Sequence, residues 1–346
     1  MTKSGGKQFK KIAAWSVSVL LTGVAVLMTV TIGWRPLLGA KSRSLTERRF
    51  EHTPERLERG RYLVNSVALC FDCHAQAIKD FKDVKPGEAP IFAKLGSGRV
   101  MFEEGKARLV APNITPDMET GAGTWTDDQF ARAIREGIGH DGRTLFPLMP
   151  YQDFHNMSDD DLASVIVYIR SLEPVHNVLP KTEVPFPLSR LIKSAPQPVM
   201  APVMVDLPDS IARGKYLTKI GHCENCHTPK DMTGQPLPGM LFAGGESFGP
   251  KVVSANITMD PSGISYYDEK LFMSVLRTGH VGARGLNAPM PWWFFKNMSD
   301  DDIKSIFAYL RTVKPVHHRV DNADGVTECK QCKHPHGAGK ENGPNT

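Results

Sequence analysis

Two stretches of this chain share one helical rhythm. After Ser158, apolar residues fall at Leu162, Val165, Ile166, Ile169 and Leu172; after Ser299 they fall at Ile303, Ile306, Phe307, Leu310 and Val313. Spacings of three and four put each set on one face of a helix. Each serine is a good N-cap, and the three aspartates behind it lie where the helix dipole favours negative charge. Pro174 and Pro315 end the two helices. A middle helix is predicted from Phe130, Ala133, Ile134 and Ile138, matched in part by Phe272, Val275 and Leu276. An earlier helix follows Thr53-Pro54 and runs into a pair of cysteines. No stretch alternates convincingly as a strand, so the expected fold class is all-α.

The N-terminus follows a different pattern. From Ile12 to Trp34 the chain carries no charge, and a helix of that length spans about 34 Å, enough to cross a bilayer. The run is longer than the apolar part of a secretory signal, so residues 1–40 read as an uncleaved signal-anchor with one transmembrane helix. Trp15 and Trp34 sit where interfacial aromatics belong. Basic residues flank the span on both sides, so the positive-inside rule does not orient it.

The rest of the chain is an internal repeat. RGRYLVNSVALCFDCH, ending at His74, recurs as RGKYLTKIGHCENCH, ending at His227. Asn113-Ile114-Thr115 recurs as Asn256-Ile257-Thr258, Met149-Pro150 as Met290-Pro291, and NMSDDDL as NMSDDDI. The separation between partners shrinks along the repeat, which places insertions early in the first copy. The expected organisation is a first domain over 54–173, a Pro-rich semi-extended linker over 174–208, a second domain over 209–316, and a polar, Cys/His-containing tail over 317–346 that is expected to be disordered. A length of 346 residues with 41% hydrophobic and 23% charged residues accommodates two such cores. The net charge of +5 is modest and no basic run is interleaved with aromatics, so nucleic acid is not expected as a partner.

Cys70-Phe71-Asp72-Cys73-His74 and Cys223-Glu224-Asn225-Cys226-His227 are both C-x-x-C-H, the signature of c-type haem attachment. Two thiols three residues apart on a tight turn reach the two vinyl groups of one haem, and the next residue, His, faces the iron. Its other ring nitrogen usually donates to a backbone carbonyl, which fixes the tautomer. A thioredoxin-like pair would need a βαβ setting that is missing. A zinc site of Cys70, Cys73, Cys223 and Cys226 would leave both following histidines without a role.

With these motifs in hand, both halves resemble the c-type cytochrome domains in cytochrome subunits of bacterial membrane-bound dehydrogenases. APNITPDMETGAGTWTDDQFARAIREG followed by DGRTLFPLMPYQDFHNMSDDDL is similar to that family's run between haem motif and last helix; the second copy keeps NIT, PMP and NMSDDDI but has PSGISYYDEK in the middle. The resemblance implies two covalently attached haem c groups, and it places the axial methionines at Met149 and Met290. Both lie in loops beside a proline that could aim the sulfur at iron, and a thioether as second ligand closes the iron and raises its potential. Met157 and Met298, directly before the serine caps, read instead as staples packing on Leu162 and Ile303. His140 and His280 do not align between the copies and read as loop residues; His155, His176 and His222 read as surface or packing residues. Asn113 and Asn256 could hold a haem propionate or a loop backbone. Trp125 and Tyr267 read as pocket or core packing, and Trp292 and Trp293 as walls of the second pocket.

In the tail, Cys329, Cys332, His334 and His336 lie within CKQCKHPH, where Lys333 stands in place of the haem histidine. A small Cys/His metal site and an oxidised or redox-active pair both remain open there. The expected function is a membrane-anchored dihaem electron carrier and not an enzyme. It would work on the periplasmic side of a bacterial cytoplasmic membrane, between a dehydrogenase or quinol-oxidising partner and a downstream cytochrome or terminal oxidase. The dihaem subunit of a haem–copper oxidase and a dihaem peroxidase are the alternatives.

Overall fold

In the computed structural model, residues 3–80, 83–231, 234–248, 252–320, 327–328 and 335–336 are described. Helix α1 (Lys3–Val30) contains an apolar stretch, Lys11–Val30, with a mean hydropathy of 2.0 and none of it buried against the protein. It ends four residues short of Trp34, because Gly33 turns the backbone to a φ of +68°. The Trp34 indole donates back to Thr29 Oγ1 at 3.1 Å. A short helix α2 (Arg35–Leu38) follows.

The first repeat then runs through α3 (Pro54–Tyr62), a π-helical turn over Leu63–Val67, and α4 (Cys70–Cys73). Two hairpins come next, β1 (Gln76–Lys79) with β2 (Ile91–Ala93) and β3 (Arg99–Glu104) with β4 (Ala107–Ala111). Helices α5 (Asp127–Glu136), α6 (Tyr151–Phe154) and α7 (Asp159–Arg170) complete it. The connecting segment holds α8 (Leu188–Leu191), extended by a 3-10 turn over Ile192–Ser194. The second repeat keeps the helix order but places a hairpin after its middle helix: α9 (Ser210–Ile220), α10 (Cys223–His227), α11 (Glu269–Thr278), the short hairpin β5 (His280–Val281) and β6 (Arg284–Gly285), α12 (Trp292–Phe295) and α13 (Asp300–Leu310). β7 (Thr327–Glu328) pairs with β8 (Pro335–His336) beyond it.

The two expected caps are in place: Ser158 and Ser299 accept from the backbone N–H of Asp161 and Asp302. Two further caps, not predicted from the sequence, join them: Thr126 in a capping box with Gln129 and Asp268 on α11. The all-α expectation is corrected by the hairpins. Strands β3 and β4 escape the pattern because β3 is largely solvent-exposed and a bulge between Val100 and Phe102 breaks the two-residue period. The turn at Gly105 has a φ of +57°, which glycine adopts without strain. The connecting segment is less free than a linker. Glu183 pairs with Arg108 through both backbone bonds, Asn177 donates to Ser97 O, and Val203 O accepts from Asp159 N–H.

One four-residue motif, Arg-Gly-x-Tyr, assembles each repeat and joins the two. Arg59 binds Asp161 through both carboxylate oxygens, at 2.8 and 2.9 Å, and Arg213 binds Asp302 through Oδ1 from its own repeat. Gly60 and Gly214 let the first and last helices cross closely: a Cβ there would lie 1.9 Å from the Ser164 or Ser305 carbonyl. The tyrosines then cross between repeats. Tyr62 donates to Asp302 and accepts from Ser299 N–H at 3.1 Å, while Tyr216 donates to Asp161 at 2.7 Å and accepts from Ser158 N–H at 3.1 Å. Burial, and then the Asp302 partner, push the Tyr62 phenol up to about 12. The exchange is reciprocal, as in a two-fold interface.

Tyr62→Phe and Tyr216→Phe should each cost about 1–2 kcal/mol, because a buried carboxylate loses one donor and keeps its arginine. Gly60→Ala should cost more, as backbone must move. Urea unfolding of the haem-loaded protein checks the order, and an unchanged midpoint for both tyrosine variants would contradict it.

Candidate functional site

Both C-x-x-C turns are entered through a residue held in the left-handed region, Leu69 at a φ of +54° and His222 at +62°. That reversal starts α4 and α10 abruptly after the first helices. Burial pushes the thiols up, to about 12 for Cys70, Cys73 and Cys223 and about 11 for Cys226. All four are therefore neutral thiols at pH 7, a poor state for thiolate exchange. Among the described residues no three His, Cys, Asp or Glu side chains gather as a metal site, so the four-cysteine zinc arrangement is not formed.

The two motif histidines share one environment. His74 Nδ1 lies 2.8 Å from Pro112 O, and His227 Nδ1 lies 2.8 Å from Ala255 O. A carbonyl only accepts, so the proton is on Nδ1 and the lone pair is on Nε2. Burial lowers both pKa values, against the pull of those carbonyls. The result is a neutral imidazole with a fixed ring and a free Nε2, the form that ligates a metal.

The Asn-Ile-Thr motifs hold the carbonyls in place. Asn113 Oδ1 accepts from the N–H and hydroxyl of Thr115 at 3.0 and 2.7 Å, and its amide donates to Val175 O at 2.7 Å. Asn256 does the same with Thr258, at 2.9 and 2.8 Å, and with Val316 O at 2.9 Å. The asparagines thus orient the histidines through the loop backbone. Gly98 and Gly244, which periodicity did not single out, complete the cradle. Their N–H groups donate to the carbonyls of His74 and His227 at 3.2 and 2.7 Å. With φ near +70° and a Cβ that would sit 2.4 Å from loop backbone, neither position accommodates a side chain. Their recurrence before each Asn-Ile-Thr motif was the available signal.

In the second repeat, Cys223, Cys226, His227 and Met290 line one largely apolar cavity. Tyr267, Phe272 and Leu276 wall it, and the first repeat contributes Val67 and Leu69. Met298 also borders it, but is 3% exposed and packs in the core, as Met157 does at 0%. Met149 is half-buried against the first core, beside Pro150. Trp292 and Trp293, expected as pocket walls, are buried elsewhere. Trp292 covers Gly279, where a Cβ would be 2.3 Å from the indole, and Trp293 faces Asp72 of the first repeat. His140 stacks on Trp125 with ring centroids 4.3 Å apart, and His280 Nδ1 lies 2.8 Å from Thr278 O. Cys329, Cys332 and His334 lie outside the described residues.

The methionine-loop helices reach across the repeats. Asp153 on α6 is 3.0 Å from His222 Nδ1, and Phe154 meets the same ring edge-on at 4.8 Å. His222, read as a packing or surface residue, is therefore a buried bridge between the first methionine loop and the second cysteine turn. Asp72, between Cys70 and Cys73, is pushed up to about 7 by burial, against the opposing effects of Arg99 and Trp293.

Comparison with known proteins finds cytochrome c subunits as the relatives of this chain. The chain is 32% identical over 275 residues to the fructose dehydrogenase cytochrome subunit of Gluconobacter japonicus, covering 76% of this chain and 53% of that one. It is 29% identical over 278 residues to the gluconate 2-dehydrogenase cytochrome c subunit of Pantoea cypripedii, covering 74% and 59%. A dihaem cytochrome c-type protein of Cereibacter sphaeroides matches at 26% over 253 residues, covering 71% and 82%. No family model matches. The homologues of this chain are thus cytochrome c subunits of bacterial dehydrogenases and a dihaem cytochrome c. The chain spans about half the length of the dehydrogenase subunits it matches.

Asn256→Ala should free the loop that carries the Ala255 carbonyl and leave Val316 O short of a donor, at about 1–3 kcal/mol. Asn113→Ala should match it within the first repeat. Thermal unfolding checks both, and a wild-type midpoint in either variant would contradict the role given to that asparagine.

Proposed function

We propose that this chain is a membrane-anchored dihaem cytochrome c. It carries electrons between a dehydrogenase or quinol-oxidising partner and a downstream cytochrome or terminal oxidase. Cys70 and Cys73 would hold one haem and Cys223 and Cys226 the other, with His74 and Met149, and His227 and Met290, as the iron ligands. Residues 54–173 and 209–316 are the two haem domains of this reading. The observation that carries it is the cavity in which His227, both cysteines and Met290 meet, together with the identical carbonyl clamp on His74.

Haem bound there supplies a one-electron ferric–ferrous couple. The protein's own groups set the conditions for it. His74 and His227 present a lone pair whose basicity is raised by the carbonyl on the opposite nitrogen. The lining is largely apolar, and Arg284 and Asn287 are lining side chains suited to haem carboxylates. Helix α1 supplies the membrane anchor. Haem c attachment takes place outside the bacterial cytoplasm, which would put the haem domains in the periplasm and the N-terminus inside.

In the reduced, haem-loaded protein, carbon monoxide should leave the visible spectrum unchanged, since both irons carry a strong second ligand. Met290→Ala should remove about half of the far-red sulfur-to-iron band, lower one potential and open that iron to carbon monoxide. Met298→Leu should keep the band. A wild-type shift on adding carbon monoxide would instead indicate an open iron and overturn the carrier reading.

A further inference from the structure

Two short elements meet where the apolar helix α1 ends. Helix α2 packs against α8 and the 3-10 turn that extends it, although some 150 residues of chain separate them. Pro36 of α2 is buried. The larger side chains around it are not: Leu37 is 63% exposed, Leu38 75% and Phe186 82%, and Leu188 and Leu191 also face solvent. Five large apolar side chains are thus exposed on these two elements and just before α8, next to the end of α1.

Charge points the same way. From Arg35 to Thr46 there is no acidic residue, and from Val184 to Val205 there is none either. Arg35 and Lys41 lie in the first segment, Arg190 and Lys193 in the second. Short apolar elements edged by arginine and lysine suit the boundary between headgroups and acyl chains of an anionic bilayer.

The attachment behind this patch is stiff. Arg43 binds Asp128 through both oxygens at 2.7 Å and Glu136 at 2.7 Å. Thr46 N–H donates to Asp128 at 2.6 Å and Phe50 N–H to Asp127 at 2.7 Å. The chain between anchor and first repeat is therefore strapped along α5 and is no free leash.

We propose that α2 and α8 form a second, non-spanning contact with the lipid surface beside the exit of α1, holding the first repeat at a set orientation to the membrane. This rests on the reading of α1 as a membrane anchor. The patch dips into the outer leaflet with Phe186, Leu37 and Leu38, while Arg190 and Lys193 meet anionic headgroups.

The test uses the full haem-loaded chain in vesicles of phosphatidylcholine and phosphatidylglycerol, with photoreactive p-benzoylphenylalanine placed at position 186. The control is the same group at position 266, where Tyr266 is exposed on the second repeat. After irradiation, mass spectrometry should find at least about tenfold more lipid adduct at 186 than at 266. Arg190→Gln with Lys193→Gln should reduce that adduct in anionic vesicles and leave it unchanged in phosphatidylcholine alone. Equal adducts at both positions in protein that co-sediments with the vesicles would overturn the proposal and leave the anchor standing. Failure to co-sediment would overturn the anchor reading itself, and the patch with it. In native membranes, an adduct at 186 to a second polypeptide in place of lipid would assign the patch to a protein and overturn its assignment to lipid.

Discussion

The exchange of tyrosines between Asp161 and Asp302 is the constraint on which the rest of the structure depends. Each carboxylate is held by the arginine of its own repeat and by the tyrosine of the other. One buried group therefore fixes two things: the crossing of first and last helix within a repeat, and the seating of one repeat on its neighbour. The arginine neutralises the charge and the tyrosine takes a remaining lone pair, which is how a buried carboxylate becomes tolerable. Because the cysteine turns follow directly from these first helices, their positions follow from the same contact.

That seating makes the two sites parts of one structure. Val67 and Leu69 of the first repeat line the cavity of the second, and His222, just before the second cysteine turn, is bound to Asp153 behind the first methionine loop. Trp293, behind the second methionine loop, faces Asp72 inside the first cysteine turn. The seating connects the methionine loop of each repeat to the cysteine turn of the other through a non-covalent side-chain contact, Asp153 with His222 and Trp293 with Asp72, and so holds the two sites in one fixed arrangement.

Much of this was legible in the sequence wherever the signal is local and periodic. The caps at Ser158 and Ser299, the apolar faces behind them and the two C-x-x-C-H turns all follow from short-range rules. The hairpin over Arg99–Ala111 was not legible, since its first strand is exposed and bulged and so carries no alternation. The role of Asn113 and Asn256 was half legible. Recurrence showed that they matter, but only the fold shows that they clamp the backbone behind the histidines. The Arg-Gly-x-Tyr motif was visible as a repeat, yet nothing in one chain's sequence says that its tyrosine belongs to the opposite copy. Trp292 and Trp293 followed the Met-Pro pair closely enough to suggest pocket walls; the turn of α12 sends them toward Gly279 and the first repeat instead.

The central claim is that each repeat holds its own haem through its own cysteine pair. The most direct measurement is the intact mass of the purified protein under denaturing conditions, for the wild type and for Cys223→Ala with Cys226→Ala. The account predicts a chain heavier by two haem groups in the wild type and by one in the variant, with the remaining haem carried on the peptide containing Cys70 and Cys73. A wild-type chain carrying one haem or none, or a variant that still carries two, would contradict it.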